Sequence, residues 1–164
     1  MRAVVRTAVD GEAAALDDAL GAPPGVYAGL LGMQAEGACV LLVAEVGGRP
    51  VGAGVLRWAP RDAAVRERFG ALPEISNLQV HPDEQGRGHG TALVAAACAR
   101  AAAAGQASVG IGVDEDNPDA ARLYLRLGFA DTGLRYVDSY TWVDHDGVQH
   151  DEQEAVRYLV RTPG

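Results

Sequence analysis

A glycine-rich loop between a predicted strand and a predicted helix constrains this chain more than any other feature. Residues 85–91 read Gln-Gly-Arg-Gly-His-Gly-Thr, so glycine stands at every second position. Glycine has no Cβ, and the backbone can therefore bend and approach a ligand closely. The helix that follows points free N–H groups and the positive end of its dipole back at the loop. The pattern predicts a phosphate or pyrophosphate site, with Arg87 able to add a charge-assisted contact.

Two familiar phosphate loops do not match this sequence. The loop lacks the Gly-Lys-Ser/Thr ending of a Walker A loop, and all 14 basic residues of the chain are arginines. Thr91 stands where a dinucleotide-binding fingerprint has its third glycine. On the loop alone, a glycine-rich connection without a ligand stays open as the alternative.

Hydrophobic periodicity predicts that strands and helices alternate along the chain, and hence an α/β fold in one domain, residues 1–164. The predicted strands cover 2–8, 39–46, 51–58, 74–80 and 107–113, with two more between 132 and 161, and the predicted helices cover 12–20, 26–34, 88–104 and the segment from Pro118 to a stop at Gly128. We expect Asp10 to cap the first helix, residues 47–50 to form a four-residue hairpin loop, and 59–73 to form a loop or short helix. The small residues Gly110 and Gly112 leave room for a close approach on one side of their strand.

A second motif begins at Asn117, which with Pro118 is a strong helix start. From Asn117 to Phe129 the sequence reads N-x-x-A-x-x-L-Y-x-x-x-G-F. With this motif the chain resembles the GCN5-related N-acetyltransferase (GNAT) superfamily, whose [QR]-x-x-G-x-[GA] loop matches residues 85–90. The resemblance covers residues 74–129 firmly, and two separated motifs in the right structural context are more specific than either alone.

The resemblance implies a mixed, strongly twisted sheet with helices on both faces and a splayed strand pair that holds acetyl-CoA, the co-substrate. It implies that the amides of 85–91 hold the pyrophosphate, that the backbone at Leu78 and Val80 pairs with the pantetheine arm, and that Asn117 bonds the same arm. The residues implied to bind acetyl-CoA are Leu78, Val80, Gln85, Gly86, Arg87, Gly88, His89, Gly90, Thr91, Asn117 and Tyr124.

The implied reaction is direct attack of an amine on the thioester carbonyl in a ternary complex. The Leu78 amide is the implied oxyanion donor, and one such donor can contribute about 3 kcal/mol. Tyr124 is the implied general acid, since a phenol with a pKa of about 10 carries the proton that a thiolate needs; simple packing on the helix face is the alternative. Glu74 is the candidate base, at the offset from Gln85 where histone-modifying members carry their catalytic glutamate. The alternatives are a solvated strand end, a carboxylate that holds the substrate instead of taking a proton, and a water chain that acts as the base. Asn77 lies three positions after Glu74 on the same predicted strand, so its side chain is expected on the opposite face. It is a candidate for lining the acceptor pocket on that side.

Composition and charge exclude several classes of function. The net charge of −8 argues against a broad nucleic-acid interface, which needs a basic face. No cluster of Cys and His residues predicts a metal site. The N-terminus has no apolar signal region, and no apolar run approaches the ~20 residues of a membrane span, so no membrane contact and a cytoplasmic location are expected.

Three single residues carry expectations about burial. Cys39 and Cys98 are expected to be buried thiols, and His89 is expected to be exposed.

The sequence therefore predicts an acetyl-CoA-dependent N-acetyltransferase for a primary amine of a small molecule. Two alternatives stay open: a protein acetyltransferase acting on lysine side chains or N-termini, and a non-catalytic acyl-CoA-binding sensor. Retention of Tyr124 and Glu74 argues against the sensor. Acidic residues at 74, 114–116 and 144–154 favour a cationic or zwitterionic acceptor. Members of the family often dimerise, so a homodimer is open to this chain.

Overall fold

Strands and helices alternate along the chain in the computed structural model, which describes residues 2–162. Within these residues there are seven strands and five α-helices: β1 (Val4–Thr7), α1 (Ala13–Leu20), α2 (Val26–Ala35), β2 (Cys39–Val46), β3 (Arg49–Arg57), α3 (Ala63–Phe69), β4 (Glu74–Val80), α4 (His89–Ala103), β5 (Val109–Asp114), α5 (Pro118–Arg126), β6 (Phe129–Val143) and β7 (Gln149–Arg161). The predicted α/β class is confirmed. The predicted domain, 1–164, also includes Met1, Pro163 and Gly164, which lie outside the described residues.

Two local predictions are wrong, at the start of α1 and at the first hairpin. Glu12, not Asp10, is the N-cap residue of α1, and its side chain accepts a hydrogen bond from the Val9 N–H at 2.5 Å instead of capping the helix. The β2–β3 hairpin has a two-residue turn, because Val46 already pairs with Arg49. Both turn residues are glycines at positive φ, 59° and 77°, the backbone conformation that a tight mirror-image turn requires.

The chain divides into two compact units, and the first comprises Met1–Arg57 and Ile75–Arg100. Its strands lie in the order β1-β2-β3-β4, and β2 is antiparallel to β1 and to β3. On one face, Leu41 and Val43 belong to a buried cluster with residues of α1 and α2. On the other face, a Cβ added to Gly52 of β3 would lie 3.3 Å from Leu93 of α4. Helices therefore cover both faces of this sheet.

The second unit comprises Trp58–Glu74 and Ala101–Gly164, and its strands lie in the antiparallel order β5-β7-β6. Neighbouring side chains point to opposite faces. One face carries Ile111, Leu159 and Phe129. It is called the α5 face, because the ring of Tyr124 in α5 packs on Phe129. The opposite face carries Tyr158, whose ring stacks on Phe69 of α3 at 5.8 Å, and is called the α3 face.

The space beside the glycines of β5 is filled by two tyrosines of the α3 face. A Cβ on Gly110 would lie 2.1 Å from the Tyr158 Oη, and one on Gly112 would lie 2.7 Å from the Tyr136 Oη. Tyr158 is 0% exposed. The close approach predicted from the small residues of this strand is therefore made by the protein's own side chains.

The Gly110→Ala variant should lower the free energy of unfolding by about 1–3 kcal/mol, because the new methyl group would overlap Tyr158 in a packed interior. Gly32→Ala is the control: no atom lies within 4 Å of its added Cβ, and alanine within α2 should raise stability by about 0.5–1 kcal/mol. Urea denaturation measures both changes. Equal effects of the two substitutions would contradict the packing described for Gly110.

Candidate active site

The predicted phosphate loop joins β4 to α4 in the first unit, through a short 3₁₀ turn at Pro82–Glu84. Gly86 and Gly88 have φ of 75° and 85°, and neither would meet an atom within 4 Å of an added Cβ. The Gln85 side chain donates from Nε2 to the Val80 carbonyl at 3.2 Å, which ties the loop back to the end of β4. The backbone of the loop is therefore open on the side that a Cβ would occupy.

Six successive backbone N–H groups of this loop are available to a ligand. Across residues 2–162, no acceptor pairs with the N–H of any residue from Gly86 to Thr91, and the first bonded amide is that of Ala92, which donates to the Gly88 carbonyl at 3.0 Å. A row of free amides at the start of a 15-residue helix matches an anion such as a pyrophosphate. The loop therefore fits the phosphates of acetyl-CoA.

A buried carboxylate, Glu84, lies beside the loop and was not identified from the sequence. Glu84 is 8% exposed and accepts hydrogen bonds from Arg49 and Arg87, each at 3.0 Å. His89 is 4% exposed, so the expectation that it is exposed is wrong. The first turn of α4 directs its ring inward, where Nε2 lies 3.5 Å from the Glu84 Oε2 without a hydrogen-bond partner in the described chain.

A cleft of about 290 Å³ lies between α2 and β4 in the first unit, where β4 departs from regular strand geometry. Asn77 has φ of 51°, a conformation that L-residues rarely adopt in a strand. The cleft is lined by Val26, Tyr27, Leu30, Asn77, Leu78 and Gln79. Asn77, predicted as a candidate for the acceptor pocket, and Leu78, the predicted oxyanion donor, therefore line the same cleft.

Hydrogen bonds fix the polar wall of this cleft. The Tyr27 hydroxyl donates to Gln79 Oε1 at 3.0 Å, and Gln79 Nε2 donates to the Leu20 carbonyl at 2.9 Å. Burial, with a smaller effect from the nearby Asp17, raises the pKa of Tyr27 to about 12. The wall is therefore an uncharged hydrogen-bonded pair whose members are held in place from behind.

Tyr124 lies on the α5 face of the second unit and is 7% exposed. Its ring meets Phe129 edge to face at 5.9 Å, and its hydroxyl has no hydrogen-bond partner in the part of the chain that the structure describes. Burial raises the pKa of Tyr124 to about 12. The ring of Tyr124 is therefore packed against a neighbouring side chain, which is what a packing role requires. Its hydroxyl is also protonated and free to donate, which is what a general acid requires.

Asn117 is the N-cap of α5, as predicted from the sequence. Its Oδ1 accepts the Ala120 N–H at 3.1 Å. This bond fixes the orientation of the amide, which leaves Nδ2 as the donor for any ligand. A contact with the pantetheine arm would therefore run from Asn117 Nδ2 to a carbonyl oxygen.

Glu74 lies against the α3 face of the second unit and is 5% exposed, so it is not a solvated strand end. Its Oε1 accepts from the Tyr158 hydroxyl at 3.0 Å and its Oε2 from the Arg61 N–H at 3.1 Å. Burial, and next the negative charge of Glu74, raise the pKa of Tyr158 far above its usual value. Tyr158 was missed by the sequence analysis, although the glycines of β5 indicated that a bulky group lies beside them.

Two features are absent from the described residues. Between residues 2 and 162, no group of three or more His, Cys, Asp or Glu side chains could hold a metal ion. Over the same stretch, every helix is too short or too polar to cross a lipid bilayer.

Comparisons with known proteins identify the fold and the family. Solved structures with the same fold include a GNAT-superfamily phosphinothricin acetyltransferase from Sinorhizobium meliloti in complex with acetyl-CoA, with TM-score 0.70 and 21% identity over 100% of this chain and 90% of that one. They also include a GNAT family acetyltransferase from Elizabethkingia anophelis with acetyl-CoA bound, with TM-score 0.67 and 19% identity over 99% of both chains. A third is the ribosomal-protein-S18-alanine N-acetyltransferase from Escherichia coli, with TM-score 0.68 and 18% identity over 98% of this chain and 93% of that one.

At these identities the likeness establishes the fold alone, and no curated protein sequence matches the chain significantly. The sequence model of the acetyltransferase (GNAT) family, however, matches residues 15–129, more than half of the chain. The chain therefore belongs to the GNAT family of acetyltransferases.

Proposed function

We propose that this enzyme transfers the acetyl group to a primary amine of a small molecule, by direct attack in a ternary complex. The observation that carries the proposal is the cleft of about 290 Å³ at the irregular part of β4. Its volume is near the lower end for small-molecule sites, and it combines apolar side chains with a few fixed polar groups, as such sites do. The similar structures act on both classes of acceptor, phosphinothricin and a ribosomal protein, so the fold does not choose between them.

We propose that acetyl-CoA is bound by the residues that the family motifs indicate. The free amides from Gly86 to Thr91 would receive the pyrophosphate, with Gln85 shaping the loop and Arg87 adding charge. The backbone at Leu78 and Val80 would pair with the pantetheine arm, and Asn117 Nδ2 would donate to it. Support comes from the unpaired amides of the loop and from the fixed orientation of the Asn117 amide.

The Gly88→Asp variant should bind CoA at least tenfold more weakly, because it places a negative charge beside the loop amides. Gly88→Asn is the matched control: it has the same size and meets the same positive φ of 85°, but it carries no charge. Isothermal titration calorimetry should show a larger loss for aspartate than for asparagine, with circular dichroism confirming that both variants are folded. Unchanged affinity in Gly88→Asp would remove the pyrophosphate assignment.

In the proposed reaction, three groups act on the reacting atoms. The Leu78 N–H stabilises the oxyanion, and Tyr124 donates a proton to the departing thiolate. Glu74 removes the proton of the amine, directly or through water. Tyr158 and the Arg61 N–H position the Glu74 carboxylate, and a water chain remains the alternative base.

The Tyr124→Phe variant should lower kcat by about 10²- to 10⁴-fold where chemistry limits the rate, because only a proton donor is lost. Phenylalanine keeps the contact with Phe129, so the affinity for acetyl-CoA should change little. With a pKa of about 12, Tyr124 stays protonated up to about pH 11, and wild-type kcat should not fall between pH 8 and pH 10 through this group. Steady-state kinetics with a thiol reagent measure both effects. Wild-type turnover in the variant would leave Tyr124 with a packing role only.

The charge of the second unit supports a cationic acceptor. The α3 face carries Asp114, Asp138, Glu152 and Glu154, and Glu74 lies against it, whereas the α5 face carries three arginines, Arg135, Arg157 and Arg161, and only two carboxylates, Asp131 and Asp151. Arg61 offsets part of the negative charge through its ion pair with Asp138. Negative charge that is concentrated on the face next to the candidate base attracts cations. It also stabilises the protonated amine, so the reaction needs a base on the same face.

Across a panel of amines at low salt, kcat/KM should be highest for cationic or zwitterionic acceptors and should fall as salt is added. Glu154→Gln should reduce kcat/KM for cations more than Asp151→Asn does, because Asp151 lies three positions away on the opposite face of β7. Release of free CoA measures these rates. Faster reaction of neutral or anionic amines would contradict the electrostatic argument. Preference for peptides would favour the protein acetyltransferase, and CoA binding without turnover of any amine would favour the sensor.

A further inference from the structure

We infer that Arg49 and Arg87, brought together by Glu84, form a subsite for the 3′-phosphate of acetyl-CoA, next to the loop amides that match the pyrophosphate. All three residues belong to the first unit. The inference rests on acetyl-CoA as the co-substrate and is independent of the acceptor.

Glu84 places two guanidinium groups side by side. Arg49 comes from the start of β3 and Arg87 from the loop, and each lies 3.0 Å from one oxygen of the same carboxylate. The Glu84 side chain is 10% exposed, and the buried His89 ring lies against its Oε2 at 3.5 Å. The carboxylate is therefore fixed by the fold, and it determines where both arginines lie.

Both arginines keep most of their hydrogen-bond donors. A guanidinium group carries five N–H donors, and in the described chain each of these two uses a single nitrogen, toward Glu84. Their side chains are 68% and 64% exposed. Two arginines and one carboxylate leave a local charge of +1 in a chain with net charge −8. Planar, exposed guanidinium groups of this kind match the geometry of a phosphate.

The chemistry of CoA supplies an anion for this position. CoA carries a diphosphate on the 5′ oxygen of its ribose and a further phosphate on the 3′ oxygen of the same ribose. The six free amides from Gly86 to Thr91 match the diphosphate. Arg49 and Arg87 lie next to those amides and keep unused N–H donors. They match the 3′-phosphate, which the ribose separates from the diphosphate. Arg49 is therefore a binding residue, and Glu84 is the positioning residue behind it.

The test compares CoA with dephospho-CoA, which lacks only the 3′-phosphate, by isothermal titration calorimetry. The wild type should bind CoA about tenfold more tightly. Arg49→Gln should remove most of this preference by weakening CoA binding alone. Arg100→Gln is the control, since it also removes one positive charge but lies on α4 about 16 Å from His89 along the helix axis; both affinities should be unchanged.

Glu84→Gln provides a second variant, which keeps the shape of the side chain and removes its charge. It should reduce the preference for CoA with an unchanged circular dichroism spectrum, because losing the anion that holds the arginines together outweighs the rise in local charge from +1 to +2. Equal affinity of the wild type for the two ligands, or an equal loss for both in Arg49→Gln, would overturn the inference. A reduced preference in Arg100→Gln would also overturn it, since general charge would then explain the effect.

Discussion

The first unit depends on a constraint at the start of α4, where six successive backbone N–H groups, from Gly86 to Thr91, have no acceptor in the described chain. Unpaired amides are tolerated only where water or a ligand can reach them, so the start of α4 must stay open. Gly86 and Gly88 keep it open because they add no side chain and accept positive φ. Glu84 and His89 anchor the loop from the buried side, while the Gln85 side chain ties it to β4. The proposed anion site is therefore a property of the backbone, and the side chains around it hold that backbone in place.

The elements of the fold could be predicted from the sequence because hydrophobic periodicity and turn residues are local signals. β2 and β4 have the predicted boundaries, and α5 begins and ends where Asn117 and Gly128 indicated. The length of the first hairpin turn was harder to predict. Gly47 and Gly48 alone form the turn, but Arg49 and Pro50 are also typical of turns.

The glycine loop and the helix motif at Asn117 could also be found from the sequence, because each is contiguous. The supporting residues could not. Glu84 and Arg49 are 35 positions apart, and Tyr158 and Glu74 are 84 apart. Such pairs leave no periodic signal in a single sequence. Their burial decides their importance, and it depends on the packing of the whole unit. The burial of His89 has the same origin, since it depends on how α4 packs in the folded unit.

Tyr124 and Glu74 lie on opposite faces of the β5–β7–β6 sheet, the α5 face and the α3 face. The proposed acid and base are therefore kept from neutralising or hydrogen-bonding one another. Burial around the proposed acid, Tyr124, raises its pKa to about 12, whereas the proposed base, Glu74, accepts hydrogen bonds from the Tyr158 hydroxyl and the Arg61 N–H. In the proposed reaction, the group that releases a proton and the group that takes one up therefore lie in different surroundings.

The order β5-β7-β6 has a consequence for the synthesis of the protein. β7 is the last of the three strands along the chain, yet it lies between the other two. While the ribosome is still adding residues 149–161, the strand that joins β5 to β6 is missing, and the space beside Gly110 is not yet filled by Tyr158. Contacts between residues so far apart in sequence form slowly. Completion of the second unit is therefore a late event, whereas β1, β2 and β3 of the first unit are joined by pairings that are available from the first 57 residues.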